Sequence, residues 1–247
     1  MILKNGVWWR GDCMDVMKRI PDGSVDMILC DLPYGTTQNK WDSVIPFEPL
    51  WREYWRVCKP RAAVVLTAQC PFTSALVMSQ IQNFRHEWVW IKNRGSNFLN
   101  VKREPMKEHE NVLVFSLGKW IYNGQKQKRS GGGLGLIGKI VPRGGGSDNY
   151  GEYSPRKGLL SELRVPSSWQ KFNTSANSIH PTQKPVALFE YLIRTYTNAG
   201  DVVLDNCAGS GTTAIACENL DRHWVCIERD PDYSRLAIER ITAHDSN

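Results

Sequence analysis

The sequence predicts an α/β fold in which a doubly wound, mostly parallel sheet carries helices on both faces, with a small basic insertion. Three observations lead to it. Short apolar runs rich in β-branched residues alternate with longer amphipathic stretches, the pattern of a sheet covered on both sides. The 247 residues, 41% of them hydrophobic, are enough for one substantial core rather than several. A glycine-rich turn of the kind that opens a ligand crevice at a strand end falls at residues 205–212, with fewer than forty residues after it. Most of the sheet must therefore come from earlier residues, and the strand order is expected to be permuted.

The strands expected from these runs are Val25–Cys30, Ala62–Ala68, Glu87–Ile91, Val112–Ser116, Val202–Asp205 and Trp224–Glu228. Helices are expected over Pro46–Val57, Pro71–Ile81, Lys184–Thr197, Thr212–Leu220 and Pro231–Ala243. Several begin with proline or an acidic residue in the first turn, as helix N-termini favour. No internal repeat interrupts the order. The division expected is 1–118 for one half of the main domain, 119–178 for the insertion and 179–247 for the other half.

Charge separates the insertion from the rest. Between Lys119 and Lys171, ten Lys and Arg stand against three acidic residues, Asp148, Glu152 and Glu162, for a net +7; the remainder of the chain nets −1 of the total +6. The same segment holds eleven of the twenty glycines, including Gly131–Gly133 and Gly144–Gly146. Flexible linkers are seldom aromatic, whereas this one carries Trp120, Tyr122, Tyr150, Tyr153 and Trp169. Cations interleaved with aromatics suit a surface that follows a nucleic-acid backbone and stacks on bases.

The seven cysteines are scattered and never spaced Cys-x-x-Cys, so reduced, mostly buried thiols are expected rather than disulfides or a zinc site, and no metal is expected. No apolar run approaches the ~20 residues of a membrane span. Residues 1–10 lack a charged-then-apolar leader, and a cytoplasmic location is expected.

Two segments carry chemistry. The first, Val25–Cys30, runs into Asp31-Leu32-Pro33-Tyr34-Gly35, an apolar strand ending in a polar turn that sets side chains at the sheet edge. The second, Val202–Asp205, continues through Asn206-Cys207-Ala208-Gly209-Ser210-Gly211 into a helix starting at Thr212. Glycines there let a ligand approach the backbone, and the helix start offers free N–H groups to a carboxylate. Glu228 closes the next apolar strand, where it could accept hydrogen bonds from two ribose hydroxyls. Gly209, Gly211 and Ala214 alone would also satisfy a lenient dinucleotide fingerprint, so a dehydrogenase is separated only by the position of the turn and the lack of an evident hydride partner.

Together, Asp31-Leu32-Pro33-Tyr34 and Asp205-Asn206-Cys207-Ala208-Gly209-Ser210-Gly211 resemble the signature strings of the DNA amino-methyltransferase family, Asp-Pro-Pro-Tyr and Asp-Pro-Phe-Ala-Gly-Ser-Gly. Their order, catalytic string first, recognition segment second and cofactor string last, resembles that family's beta arrangement. His180-Pro181-Thr182-Gln183-Lys184-Pro185 matches a further family motif, and Gly11-Asp12-Cys13 resembles its adenine-contacting strand end. The resemblance implies a seven-stranded Rossmann-like methyltransferase sheet and S-adenosylmethionine as cofactor. It implies that Asp31 and the Leu32 carbonyl accept the hydrogens of an exocyclic amine while Tyr34 stacks on an extruded base and Pro33 keeps the turn extended.

The resemblance also implies that Asp12, Cys13, Asp31, Asp205, Asn206, Ala208, Gly209, Ser210, Gly211, Thr212 and Glu228 surround the cofactor, with Thr182 and Lys184 closing over its carboxylate. Asp at the first tetrapeptide position resembles the adenine-N6 enzymes, and Ser there the cytosine-N4 ones. Cytosine-C5 methylation, which uses a Pro-Cys nucleophile, is excluded because no such dipeptide is present. The expected partner is double-stranded DNA, its phosphates met by Lys126, Lys128, Arg129, Lys139, Arg143, Arg156 and Lys157. A homodimer, common in the resembled arrangement, and a separate restriction enzyme stay open as further partners. The rivals from other classes are a non-catalytic DNA-binding module with a vestigial cofactor fold and an RNA or protein amide methyltransferase.

Overall fold

The computed structural model describes residues 1–37, 39, 42–130, 134–143, 156–175, 179–180 and 182–245. In chain order its elements are β1 (Gly6–Arg10), α1 (Cys13–Val16), β2 (Val25–Cys30), α2 (Phe47–Val57), β3 (Cys58–Ala68), α3 (Phe72–Ser79), β4 (Phe84–Ser96), β5 (Lys107–Phe115), β6 (Gln127–Lys128), β7 (Ile140–Arg143), β8 (Arg156–Leu159), β9 (Leu163–Arg164), β10 (Trp169–Lys171), α4 (Val186–Tyr196), β11 (Val202–Asp205), α5 (Thr212–Glu218), β12 (His223–Glu228) and α6 (Pro231–Asp245). They fall into two compact units, residues 1–123 with 168–247, and residues 124–167.

In the larger unit the apolar runs become strands because both sheet faces are covered. All six residues of β2 are buried, and they alternate in direction. Met27 and Leu29 join a core cluster with residues of α4, α5 and α6, whereas Ile28 and Cys30 join one with residues of α1, α2 and α3. The α2 residues Leu50, Trp51, Tyr54 and Val57, spaced one and two turns apart, supply the stripe that packs on the second face. The buried carboxylate of Asp26 is not orphaned: its Oδ2 accepts from Lys59 Nζ at 2.7 Å and from the Val202 N–H at 3.0 Å, tying β2 to the start of β11.

The strand order is β1-β12-β11-β2-β3-β5-β4-β10. All neighbours are parallel except where β5 lies antiparallel between β3 and β4. The doubly wound, mostly parallel class expected from the sequence is thus the class observed, with eight strands rather than seven. The eighth, β10, comes from residues that charge and glycine content had grouped with the insertion, and its register is Trp169↔Val89 to Lys171↔Ile91. The chain leaves β11 through α5 to β12 on one side and leaves β2 through α2 to β3 on the other. A crevice therefore opens between the carboxyl ends of β11 and β2, the switch point where open α/β sheets bind ligands.

Two of the aromatics expected on a base-stacking surface make packing contacts in this unit. Trp120 packs against the core cluster with Arg85 over its ring, and Tyr122 lies against His86 and Tyr196. Trp120 is partly buried by these contacts, whereas Tyr122 keeps 48% of its surface exposed. Tyr150 and Tyr153 lie outside the described residues.

The smaller unit consists of two antiparallel ladders, β6 with β9 and β7 with β8. Arg129 is part of its scaffold, donating from its backbone N–H to Glu162 O and from Nε to Ser161 O, each at 2.8 Å. Lys126, Lys128 and Lys139 are exposed. The backbones of Arg143, Arg156 and Lys157 pair across β7 and β8, and their side chains lie outside what is described. Among the described residues no helix is long and apolar enough to cross a membrane.

Candidate active site

The carboxyl ends of β1, β2, β11 and β12 converge on one cavity of about 620 Å³, a size suited to a small ligand. Asp12 and Cys13, Asp31 to Tyr34, Thr182 and Lys184, Asp205, Asn206, Ala208 to Ser210, Thr212 and Glu228 all line it. Segments 31–34 and 205–212, far apart in sequence, are therefore neighbours in space because β2 and β11 are adjacent strands.

Asp31 follows directly on β2 and is heavily engaged. Its Oδ1 accepts from Tyr34 Oη at 2.8 Å and from Thr67 Oγ1 at the end of β3; its Oδ2 accepts from Lys184 Nζ at 2.6 Å. Leu32 buries its side chain in the core under the turn, which anchors the departure from the family's proline. The Tyr34 ring stacks on Phe72 with centroids 5.1 Å apart, and burial pushes its hydroxyl pKa well up. Beyond Tyr34, the Asp42 carboxylate accepts the backbone N–H groups of Gly35, Thr36 and Thr37 at 2.7–2.9 Å. Burial works against ionisation there, but those hydrogen bonds win and hold its pKa below the ordinary range.

Lys184 is one of the residues lining the cavity. Its side chain is only 6% exposed, and the ammonium sits between Asp31 Oδ2 and Glu110 Oε2, the latter 3.4 Å away. Glu110 in turn pairs through Oε1 with Lys92 Nζ at 2.5 Å. Burial alone would discharge Lys184, but the two carboxylates outweigh it and raise its pKa. Thr182 meets His180 Nδ1 with both its N–H and its hydroxyl.

The glycine turn is built by acidic side chains. Asp205 accepts from the Cys207 N–H at 3.1 Å and from Thr213 Oγ1 at 2.5 Å; burial nevertheless raises its pKa to about 7. Glu228 Oε2 accepts from the Gly209 N–H at 2.8 Å and Oε1 from the Asp230 N–H at 2.7 Å, and burial shifts its pKa upward. Asp12 caps α1 through Oδ1, with Met14 N–H at 2.8 Å. Asn206, where the family carries proline, is held by Tyr54 Oη at 2.6 Å.

Gly211 is the expected cofactor residue that does not reach the cavity wall. It has φ +73°, and a Cβ there would lie 3.0 Å from Ile241 Cδ1, so its smallness serves the approach of α6 rather than of a ligand. Four neighbours of the site were not singled out in the sequence. Thr67 and Lys92 sit inside apolar strands. Glu110 reaches this edge because β5 runs antiparallel, which periodicity does not report. Asp42 acts through backbone geometry alone.

The chain matches the model of the N6/N4 DNA methylase family over residues 25–239. It is 26% identical to the type II methyltransferase M.HpaI of Haemophilus parainfluenzae over 251 aligned positions, covering 93% of this chain and 72% of that protein. The fold resembles the crystal structure of the M1.HpyAVI–SAM complex, with TM-score 0.66, 24% identity and coverage of 95% of this chain and 99% of that one. It also resembles the cytosine-N4-specific PvuII DNA methyltransferase, with TM-score 0.67, 16% identity and coverage of 98% and 92%. The two superpositions establish the fold, and the family match spans most of the sequence: this chain belongs to the DNA methylase family.

Proposed function

We propose that this DNA methylase transfers the methyl group of S-adenosylmethionine to N6 of adenine in double-stranded DNA. The observation that carries the reading is the shared cavity of the Asp31 carboxylate and the 205–212 turn. An exocyclic amine is a poor nucleophile because its lone pair is delocalised into the base ring; acceptors that hold its hydrogens favour a pyramidal nitrogen. Asp31 Oδ1 is one such acceptor and the Leu32 carbonyl the second. In this reading the amine takes the place of the Tyr34 hydroxyl on Oδ1, and the freed ring packs on a base turned out of the duplex.

The residues at the strand ends fit the cofactor chemically. Glu228 is held by the backbone N–H groups of Gly209, Asp230 and Arg229, and it lines the cavity, where its carboxylate can also accept from a ribose hydroxyl. Asp12 uses only Oδ1 for its cap, leaving Oδ2 for an adenine amino group. Asp205 lines the cavity, and a cationic methionine end beside it would favour its ionised form and pair with it. When bound, S-adenosylmethionine supplies a methyl already activated on a sulfonium, so this chain has to bind, orient and accept hydrogens rather than form a covalent intermediate. Lys126, Lys128, Arg129, Lys139, Arg143, Arg156 and Lys157 are assigned to the phosphates, which orient the duplex without reading it.

Cytosine N4 is the second reading, favoured by the fold likeness to a cytosine-N4-specific enzyme. The same acceptors serve either amine. Chromatography of nucleosides from duplex DNA treated with the protein and S-adenosylmethionine decides: N6-methyladenine is expected, N4-methylcytosine would transfer the assignment, and 5-methylcytosine would contradict the chemistry.

A further inference from the structure

Lys184 makes three contacts that together define a role. Its ammonium is clamped on Asp31 Oδ2 at 2.6 Å and lies 3.4 Å from Glu110 Oε2. Its own carbonyl accepts from Thr212 Oγ1, the first residue of α5 at the cofactor turn, at 3.2 Å. One buried residue thus ties the glycine turn to the catalytic strand. The partners on the two Asp31 oxygens differ in kind: Oδ2 is held by a buried cation, whereas Oδ1 is held by two hydroxyls, those of Tyr34 and Thr67. A neutral hydroxyl is exchanged for another hydrogen donor at far smaller electrostatic cost than a buried ammonium. Turning Lys184 toward a cofactor carboxylate would leave Asp31 without its cation and Glu110 with Lys92 alone.

We propose that Lys184 is a positioning residue for amine activation: it clamps Oδ2 of Asp31 in an enclosed site and so selects Oδ1 as the oxygen offered to the base, while Glu110 shares its charge. The proposal rests on the reading of Asp31 as the amine acceptor. The charged and titratable groups facing Asp31 are Tyr34 on its own turn, Cys30 on β2, His180 and Lys184 before α4, Glu110 on β5 with Lys92 on β4 behind it, and Asp205 on β11. Lys184 is the cation in direct contact with the carboxylate among the described residues. The sign of each change then follows. Removing Lys184's charge lets the carboxylate take a proton more readily; removing Glu110's charge leaves Lys184 to Asp31 alone and does the reverse.

The test is the pH dependence of the single-turnover methyl-transfer rate on duplex DNA, with S-adenosylmethionine binding measured in parallel by calorimetry. Lys184→Met moves the acidic limb of the profile to higher pH by about one unit or more; Glu110→Gln moves it to lower pH, and Lys184→Arg keeps it near that of the parent. Cofactor affinity stays within about threefold in the variants, since one unpaired charge shifts protonation rather than the ligand's own contacts. Limbs that stay at the parental pH, or that shift in the same direction in both variants, overturn the proposal. If Lys184→Met does not fold, Glu110→Gln decides by the direction of its shift, an unmoved limb counting against the proposal. An active Asp31→Asn enzyme would instead remove the reading beneath it.

Discussion

The two compact units hold their functional residues in opposite ways. At the strand-end cavity, Asp205, Asn206, Ser210, Lys184 and Glu110 are buried side chains with fixed partners, and the turn between them is shaped by backbone N–H groups donating to Glu228 and Asp205. In residues 124–167, Leu160 is the one buried residue among those described, and Lys126, Lys128 and Lys139 project into solvent from two short ladders. Chemistry on a small ligand requires pre-set geometry, which only a packed sheet edge supplies; attraction to phosphate requires charge and little else. The contrast predicts that changes in the first region act on turnover and stability, and changes in the second on affinity and its salt dependence.

The largest effect on the second side comes from replacing Lys126, Lys128 and Lys139 together by Ala. DNA affinity should fall by about 100-fold at moderate salt, and the slope of log K against log salt should shrink by about 3, since each phosphate contact contributes roughly 0.9. Unchanged slopes in filter binding across a salt series would remove these lysines from the interface. Cofactor binding should not respond.

On the first side, Gly211→Ala forces a Cβ into a left-handed position and to 3.0 Å from Ile241. A loss of about 1–2 kcal/mol in denaturant unfolding is expected. A variant as stable as the parent would show that α6 gives way freely. The third effect is pH-dependent. With its pKa raised to about 7, Asp205 keeps its proton in the fold where the unfolded chain has lost it. Its contribution to stability is therefore full below about pH 4 and is lost as pH rises to about 7. The isosteric Asp205→Asn variant should gain stability over the cofactor-free parent across that window; parallel curves would contradict a buried proton.

The same contrast explains what could be read from the sequence. β2, β11 and β12 were legible because a fully buried parallel strand is a continuous apolar run, and the switch point then forces Asp31 and the 205–212 turn together whatever the intervening residues do. β1 is not legible as an apolar run because Gly6–Arg10 is short and bounded by polar residues, and only the resemblance of Gly11-Asp12-Cys13 to a strand end points to it; β10 is hidden because Trp169–Lys171 lies among basic and glycine-rich neighbours. Lys184 carried a motif but no direction: its spacing cannot reveal that the ammonium points back to β2. Glu110 was hidden by strand polarity. Aromatic character alone does not distinguish a base-stacking surface from packing: Trp120 lies against the core cluster, while Tyr122 touches His86 and Tyr196 yet stays exposed.

The central claim, that Asp31 activates an amine beside a cofactor bound at the adjacent strand end, is tested most directly by Asp31→Asn, which keeps the shape of the side chain and removes its charge. Calorimetric S-adenosylmethionine affinity within about threefold of the parent, together with a methyl-transfer rate lowered by about 10³-fold or more, is the predicted pair of results. Parental transfer by a folded Asp31→Asn protein would contradict it.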